Sequence, residues 1–286
     1  IQIGLNAAEE SDTVLVMPDT YYENIFWPET NGIKLISAGD SSNTVIDGGG
    51  ISSVIYINPQ TATIDTTTEI QGFTITNGWN ISNGGGMYIG GSSPKLTEVI
   101  FSGNIGDAGG GIYLENSSPI LTGITFIGNS ANGWGGRGGG MYLENSSPIL
   151  TDVAFIDNTA EGDASTKGGG MYLKNSSPTL SDVTFIGNSS NEKGGGMYMG
   201  GGSLSTLTRV TFIGNSSTDG GGMYLSFDSL PTLSDVTFIG NSANIRGGGM
   251  YLWYSSPILT GVTFSGNTAN NGGGMYIGGS SSTPST

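Results

Sequence analysis

The sequence predicts an all-β, right-handed parallel β-helix of about ten coils, and three observations carry that prediction. A Gly-Gly-Gly-Met-Tyr string, with Ile once for Met, starts at Gly84, Gly109, Gly138, Gly168, Gly194, Gly220, Gly247 and Gly272, at intervals of 25 to 30 residues. A second block, best seen as Pro178-Thr-Leu-Ser-Asp-Val-Thr-Phe-Ile-Gly-Asn188, recurs between the strings and ends at Asn104, Asn129, Asn158, Asn188, Asn215, Asn241 and Asn267. The Leu-to-Phe spacing is five residues in all seven copies, whereas the gap from Asn to the next glycine triplet runs from four to nine. Two fixed segments and one free loop per period describe a solenoid whose insertions leave on one face.

Each element follows from this frame. No segment has a 3.6-residue apolar period, while Met171-Tyr-Leu173 and Val183-Thr-Phe185 alternate between turn residues, so the fixed segments are strands. Parallel coils advance ~4.8 Å each, and parallel connections wind right-handed. Residues 1–83 supply about three atypical coils, with Leu5–Glu10 as a short capping helix; 84–278 form the repeat helix, and 279–286 a Ser/Thr tail. The glycine triplets mark corners needing positive φ or close backbone approach. The chain starts at Ile1 in mid-pattern, as a precursor cleaved of a signal peptide would, and its open C-terminal end is expected either to continue into further chain or to pack on another subunit.

Composition excludes several functions. Lys+Arg 8 against Asp+Glu 23 gives a net charge of −15, with basic residues too few and scattered for nucleic acid or an anionic membrane. No His and no Cys remove Ser-His-Asp and Cys-His catalysis, disulfides and thiolate metal sites. No apolar run reaches ~18 residues, so no membrane insertion by a helix is expected.

Phe185-Ile-Gly-Asn188 alternating with Gly194-Gly-Gly-Met197 resembles the repeat of the polymorphic outer-membrane protein family, over about residues 84–278. Glycine stands where that family often has alanine, and its membrane β-barrel is lacking. The N-terminal run through Asp12-Thr-Val-Leu-Val-Met-Pro-Asp-Thr-Tyr-Tyr-Glu-Asn24 is similar to the opening coil of pectin-lyase-like β-helices. The first resemblance implies a secreted protein of the cell surface, in adhesion or structure, and does not imply catalysis.

Side-chain direction follows from the two-residue period. Leu180, Val183, Phe185, Met171 and Leu173 face inward and Tyr172 outward. The Asn of Phe-x-x-Asn sits at a corner, where its amide stacks on the next coil, and the six Asn-x-Ser sequons are read as such corners rather than glycan acceptors. Two outward files result. One includes Tyr142, Tyr172 and Tyr224; the other is Ile127, Ile156, Ile186, Ile213 and Ile239, with a Thr file beside it. Self-stacking explains part of the Tyr file. The Ile file is an apolar stripe suited to contact with another copy, a tail or a polymer, with ice a weaker occupant.

Two candidate sites remain. Asp152 and Asp182 fall one coil apart three positions before Phe, and could share Ca²⁺, the one cofactor the pattern admits, with Arg209 as a basic neighbour. A charge ladder in which Arg209 offsets its neighbours is the plainer account. The two long loops put Trp134 and Arg137 near Asp163 and Lys167, a mixture suited to a sugar or a subunit. The resulting expectation is a secreted, extracellular, non-enzymatic structural β-solenoid that self-associates into a filament or surface assembly. An adhesin or glycan-binding module for a polysaccharide stands second, and a Ca²⁺-dependent polysaccharide lyase third.

Overall fold

The inward residues of each repeat set the cross-section. Leu180, Val183, Phe185, Met171 and Leu173 are all fully buried, and their equivalents stack along one continuous core. The computed structural model describes residues 1–80, 82–162 and 165–279. Among these, three parallel sheets of seventeen, ten and seven strands wind about the core as a right-handed β-helix of about ten turns. The broad sheet takes the Leu-to-Phe block, as in Thr179–Ile186, the tyrosine sheet the Met-Tyr-Leu segment, as in Met171–Lys174, and the short sheet the pair after the Asn, as in Ser189–Ser190. Register is like on like: Leu150 on Leu180, Phe155 on Phe185, Tyr142 on Tyr172.

The register makes ladders. Phe101, Phe126, Phe155, Phe185, Phe212, Phe238 and Phe264 stack at 4.7–5.1 Å between centroids, the advance expected of paired strands. Asn104 to Asn267 form a second ladder at the corner. Asn188 is fully buried; its amide nitrogen donates to Asn215 Oδ1 at 3.0 Å and to the Phe155 carbonyl at 2.9 Å, and its Oδ1 accepts from Asn158. An amide supplies both donor and acceptor, so each rung satisfies the next inside the core. The sequons divide accordingly: Asn188 and Asn215 are locked in this ladder, while Asn116, Asn145 and Asn175 stand exposed.

The glycine corner is as tight as its composition demands. Gly138 has φ +65°, and a Cβ on Gly140 would lie 2.7 Å from the Gly170 carbonyl oxygen and 2.8 Å from the Phe155 ring. The same left-handed requirement explains the acidic file of the broad sheet. Glu98, Asp152, Asp182, Arg209 and Asp235 have φ between 53° and 57°, and Gly123 and Gly261 occupy that position in the other copies. Asp and Gly tolerate this conformation best, so residue choice there answers to the backbone bend.

The sheets continue into the residues before Gly84, where Met87 pairs with Ile55 and Leu96 with Ile70. The cap differs from expectation in its bounds: the helix is Gln2–Ala7, not Leu5–Glu10. Leu5 alone plugs the core, the Ile1 ammonium is tied to Glu23 at 2.7 Å, and Ala8 is already extended at φ −77°, ψ 140° to enter the first strand. Of the 279–286 tail, only Gly279 belongs to the described residues.

Candidate functional site

The residue before each glycine triplet forms its own file. Ala108, Arg137, Lys167, Lys193, Asp219, Arg246 and Asn271 bridge coil to coil in parallel register. Four of the chain's eight basic residues therefore stand in one line. Each reaches over a tyrosine of the next coil: Arg137 over Tyr172 at 5.8 Å, Lys167 over Tyr198 at 5.1 Å, Lys193 over Tyr224 at 5.4 Å. Arg246 lies over Tyr251 at 5.1 Å and Tyr276 at 5.9 Å. A cation on the face of a phenol ring is attracted by the ring quadrupole.

These cations change the tyrosine file. The rings point away from the core, as the two-residue period requires, yet Tyr142, Tyr172 and Tyr224 are only 3%, 7% and 3% exposed and form a second apolar cluster with Tyr198 and Tyr251. The expectation that they present an outer contact face is corrected on this point. Tyr142, Tyr172 and Tyr198 stack at 5.0–5.1 Å, and cations of the preceding coils cover Tyr172 and Tyr198. Burial pushes their hydroxyls up, that of Tyr172 to about 12.

The result is a trough along the helix axis. Its near edge is the cation file and its floor the tyrosine ladder. Its far edge begins acidic, where the Tyr88 hydroxyl donates to Glu115 at 2.6 Å and those of Tyr113 and Tyr142 donate to Glu144 at 3.0 and 3.1 Å. Burial raises the Glu144 carboxyl, but bonds from Lys174, Tyr113 and Tyr142 outweigh it and hold the group below its ordinary value. Further on, that edge becomes Gly200, Ser226 and Trp253. Burial first, and then the charges of Lys193 and Arg137, pull the Lys167 ammonium below the usual lysine range. Asp219 accepts both Nε and Nη2 of Arg246, at 3.0 and 2.8 Å, which leaves Arg137, Lys167 and Lys193 as the consecutive cations without a described carboxylate partner.

Two depressions open on the trough. One, of about 280 Å³, brings Trp134 and Arg137 together with Asp107, Tyr113 and Tyr142; Trp134 is 84% exposed, and burial raises the Asp107 carboxyl. Arg137 Nε is buried there and has no partner among the described residues. The other, of about 250 Å³, is lined by Lys167, Lys193, Tyr198, Asp219, Tyr224 and Arg246, among others. The structure thus unites Trp134 with Arg137 and carries Lys167 to the adjoining depression one coil on; Asp163 lies outside the described residues. Lys193, Asp219 and Arg246 were missed by sequence reasoning, although their place before each triplet made the file readable.

The other sequence candidates sit on the broad sheet. Asp182 is held by Arg209, whose Nε and Nη2 both donate at 2.7 Å, and this contact keeps the carboxyl below its usual range. Asp152 stands one coil away, and no group of three or more metal-binding side chains occurs among the described residues. The Ile file is in register and faces outward: Ile127, Ile186, Ile213 and Ile239 are 36–41% exposed and Ile156 is half-buried.

Fold and trough together define a β-solenoid with a lateral, cation-edged groove. The chain belongs to the family described as right-handed beta helix region, whose model matches residues 25–191 and 163–286. No curated protein matches the chain. Among solved structures it is similar to pectin methylesterase from Yersinia enterocolitica (12% identity, 96% of this chain, 93% of that one, TM-score 0.44). It is also similar to alginate lyase from a Paenibacillus species (14% identity, 93% and 94%, TM-score 0.39). The catalytic unit of an alpha-1,3-glucanase from Streptomyces thermodiastaticus matches at 14% identity over 97% and 66%, with a TM-score of 0.23. These findings overturn the expectation of a non-enzymatic filament or surface subunit. The solved β-helices carry the names of polysaccharide-acting enzymes, and the tyrosines that were to form the assembly face are buried. Likeness at this level concerns coil architecture and assigns no reaction to this chain. No described helix is long and apolar enough to cross a membrane.

Proposed function

We propose that the protein is an extracellular, carbohydrate-active β-helix that seats an acidic polysaccharide along the tyrosine trough. The observation that carries this reading is the cation file. In a chain of net charge −15, half of the basic residues stand over one aromatic floor. Arg137, Lys167 and Lys193 repeat once per coil at ~4.8 Å, a spacing near the length of one sugar ring, so successive carboxylates of a linear polyuronate meet successive cations. The buried tyrosine ladder below holds these cations in line by lying under them. The names of the similar structures, which include a pectin methylesterase and an alginate lyase, agree with this ligand class.

The test is calorimetric titration with polygalacturonate and alginate beside neutral dextran. Binding of the acidic polymers that weakens with added salt is expected, because partly exposed ion contacts are screened. Equal binding of dextran, or no binding of either acidic polymer, overturns the reading.

A further inference from the structure

Two depressions share an exposed indole on the atypical coils, away from the trough. Trp79 and Tyr22 are 52% and 78% exposed, and neither stacks on another ring among the described residues, unlike Tyr56, which stacks on Tyr88 at 4.8 Å. They border a depression of about 450 Å³ whose edge carries Asp47 and Asn77. Trp79 also lines a depression of about 310 Å³ beside Ile51, which is 80% exposed. The indole is thus shared by two hollows, which also have Gly50 in common.

The sequence explains why it stays uncovered. The next rungs on its file are Ile105 and Ser130, so side chains shrink away from it on one side. On the other side the turn is Gly49-Gly50, with φ of +62° and +69°, and a Cβ on Gly50 would meet no atom within 4 Å. Polar groups line the rim. Asp47 Oδ1 accepts from the Gly49 amide at 2.8 Å and its Oδ2 from Asn77 Nδ2 at 2.8 Å; each oxygen retains acceptor capacity. Among the described residues, none that lines either hollow is cationic. A carboxylate without a cation repels anions and accepts from hydroxyls, while two flat aromatic faces suit the apolar faces of sugar rings.

We propose that Trp79 and Tyr22, with Asp47 and Asn77, bind a neutral oligosaccharide that crosses the indole from one hollow to the other. This site is independent of the trough in residues and in ligand charge. The experiment is calorimetric titration of the full chain with cellotetraose and laminaritetraose, at low and high salt. At least one binds, with an affinity that salt leaves unchanged. Trp79→Ala weakens it by about fivefold or more, the scale of one aromatic contact; Trp79→Phe recovers part of the loss, and Lys167→Ala with Lys193→Ala leaves it intact. Circular dichroism of Trp79→Ala confirms the fold. Absence of binding by both tetrasaccharides, or wild-type affinity in Trp79→Ala, overturns the proposal.

Discussion

Two charged files run the length of this molecule, one on the broad sheet and one beside the tyrosines, and they have opposite characters. On the broad sheet, Asp152, Asp182, Arg209 and Asp235 follow a left-handed bend, and the Arg209–Asp182 pair satisfies itself in solvent. Beside the tyrosines, Arg137, Lys167 and Lys193 lie half-buried against aromatic faces without carboxylate partners among the described residues. The same coil repeat produces both. Burial and the absence of local compensation, rather than periodicity, separate a file of unpaired cations from a ladder that only serves the backbone.

Substitutions and a pH series sharpen that contrast. The largest effect is expected inside the wall, where Asn188→Ala strands the Asn158 amide and the Phe155 carbonyl; thermal unfolding should show a loss of about 2–3 kcal/mol. Asn175→Ala, at an exposed corner, should stay within about 0.5 kcal/mol. Next, Lys167→Ala combined with Lys193→Ala should lower polygalacturonate affinity about tenfold, two contacts of ~0.7 kcal/mol each, and flatten its salt dependence; unchanged titrations would mean that the polymer lies elsewhere. Asp219→Asn frees Arg246 and should raise the same affinity about twofold.

A pH series follows from the tyrosines. The Tyr172 hydroxyl ionises at about 12 when folded and near 10 when unfolded, so the folded state holds its proton more tightly. Its stabilising contribution is complete below pH ~10 and is lost as pH rises toward ~12. Melting temperatures should fall across that window, and a flat profile would contradict the buried ladder. The smallest effect belongs to Asp182→Asn: the exposed pair should leave both the melting temperature and polyuronate binding where they were.

The inward set was legible because Leu180, Val183, Phe185, Met171 and Leu173 obey the strand period with a constant spacing, and the Asn ladder because its position never varies. The burial of Tyr172 was not. It depends on Arg137, which crosses from the preceding coil to lie over the ring, and the two-residue period says which way a side chain points but not what crosses to cover it. Asp152 and Asp182 resembled a metal pair because carboxylate chemistry and tolerance of positive φ select the same residue. Trp79 drew no notice because it precedes the first repeat, where there is no aligned copy to mark it as unusual.

The Asn ladder also bears on how such a chain changes length. From Asn129 to Asn241 each rung donates forward to an identical residue and backward to a phenylalanine carbonyl, so the joint between any two of these coils is chemically the same joint. A duplication or deletion of one whole coil of DNA would therefore splice into the stack without creating a new kind of interface. Unequal recombination could lengthen or shorten the trough one coil at a time, and gene copies differing in coil number would differ in its reach.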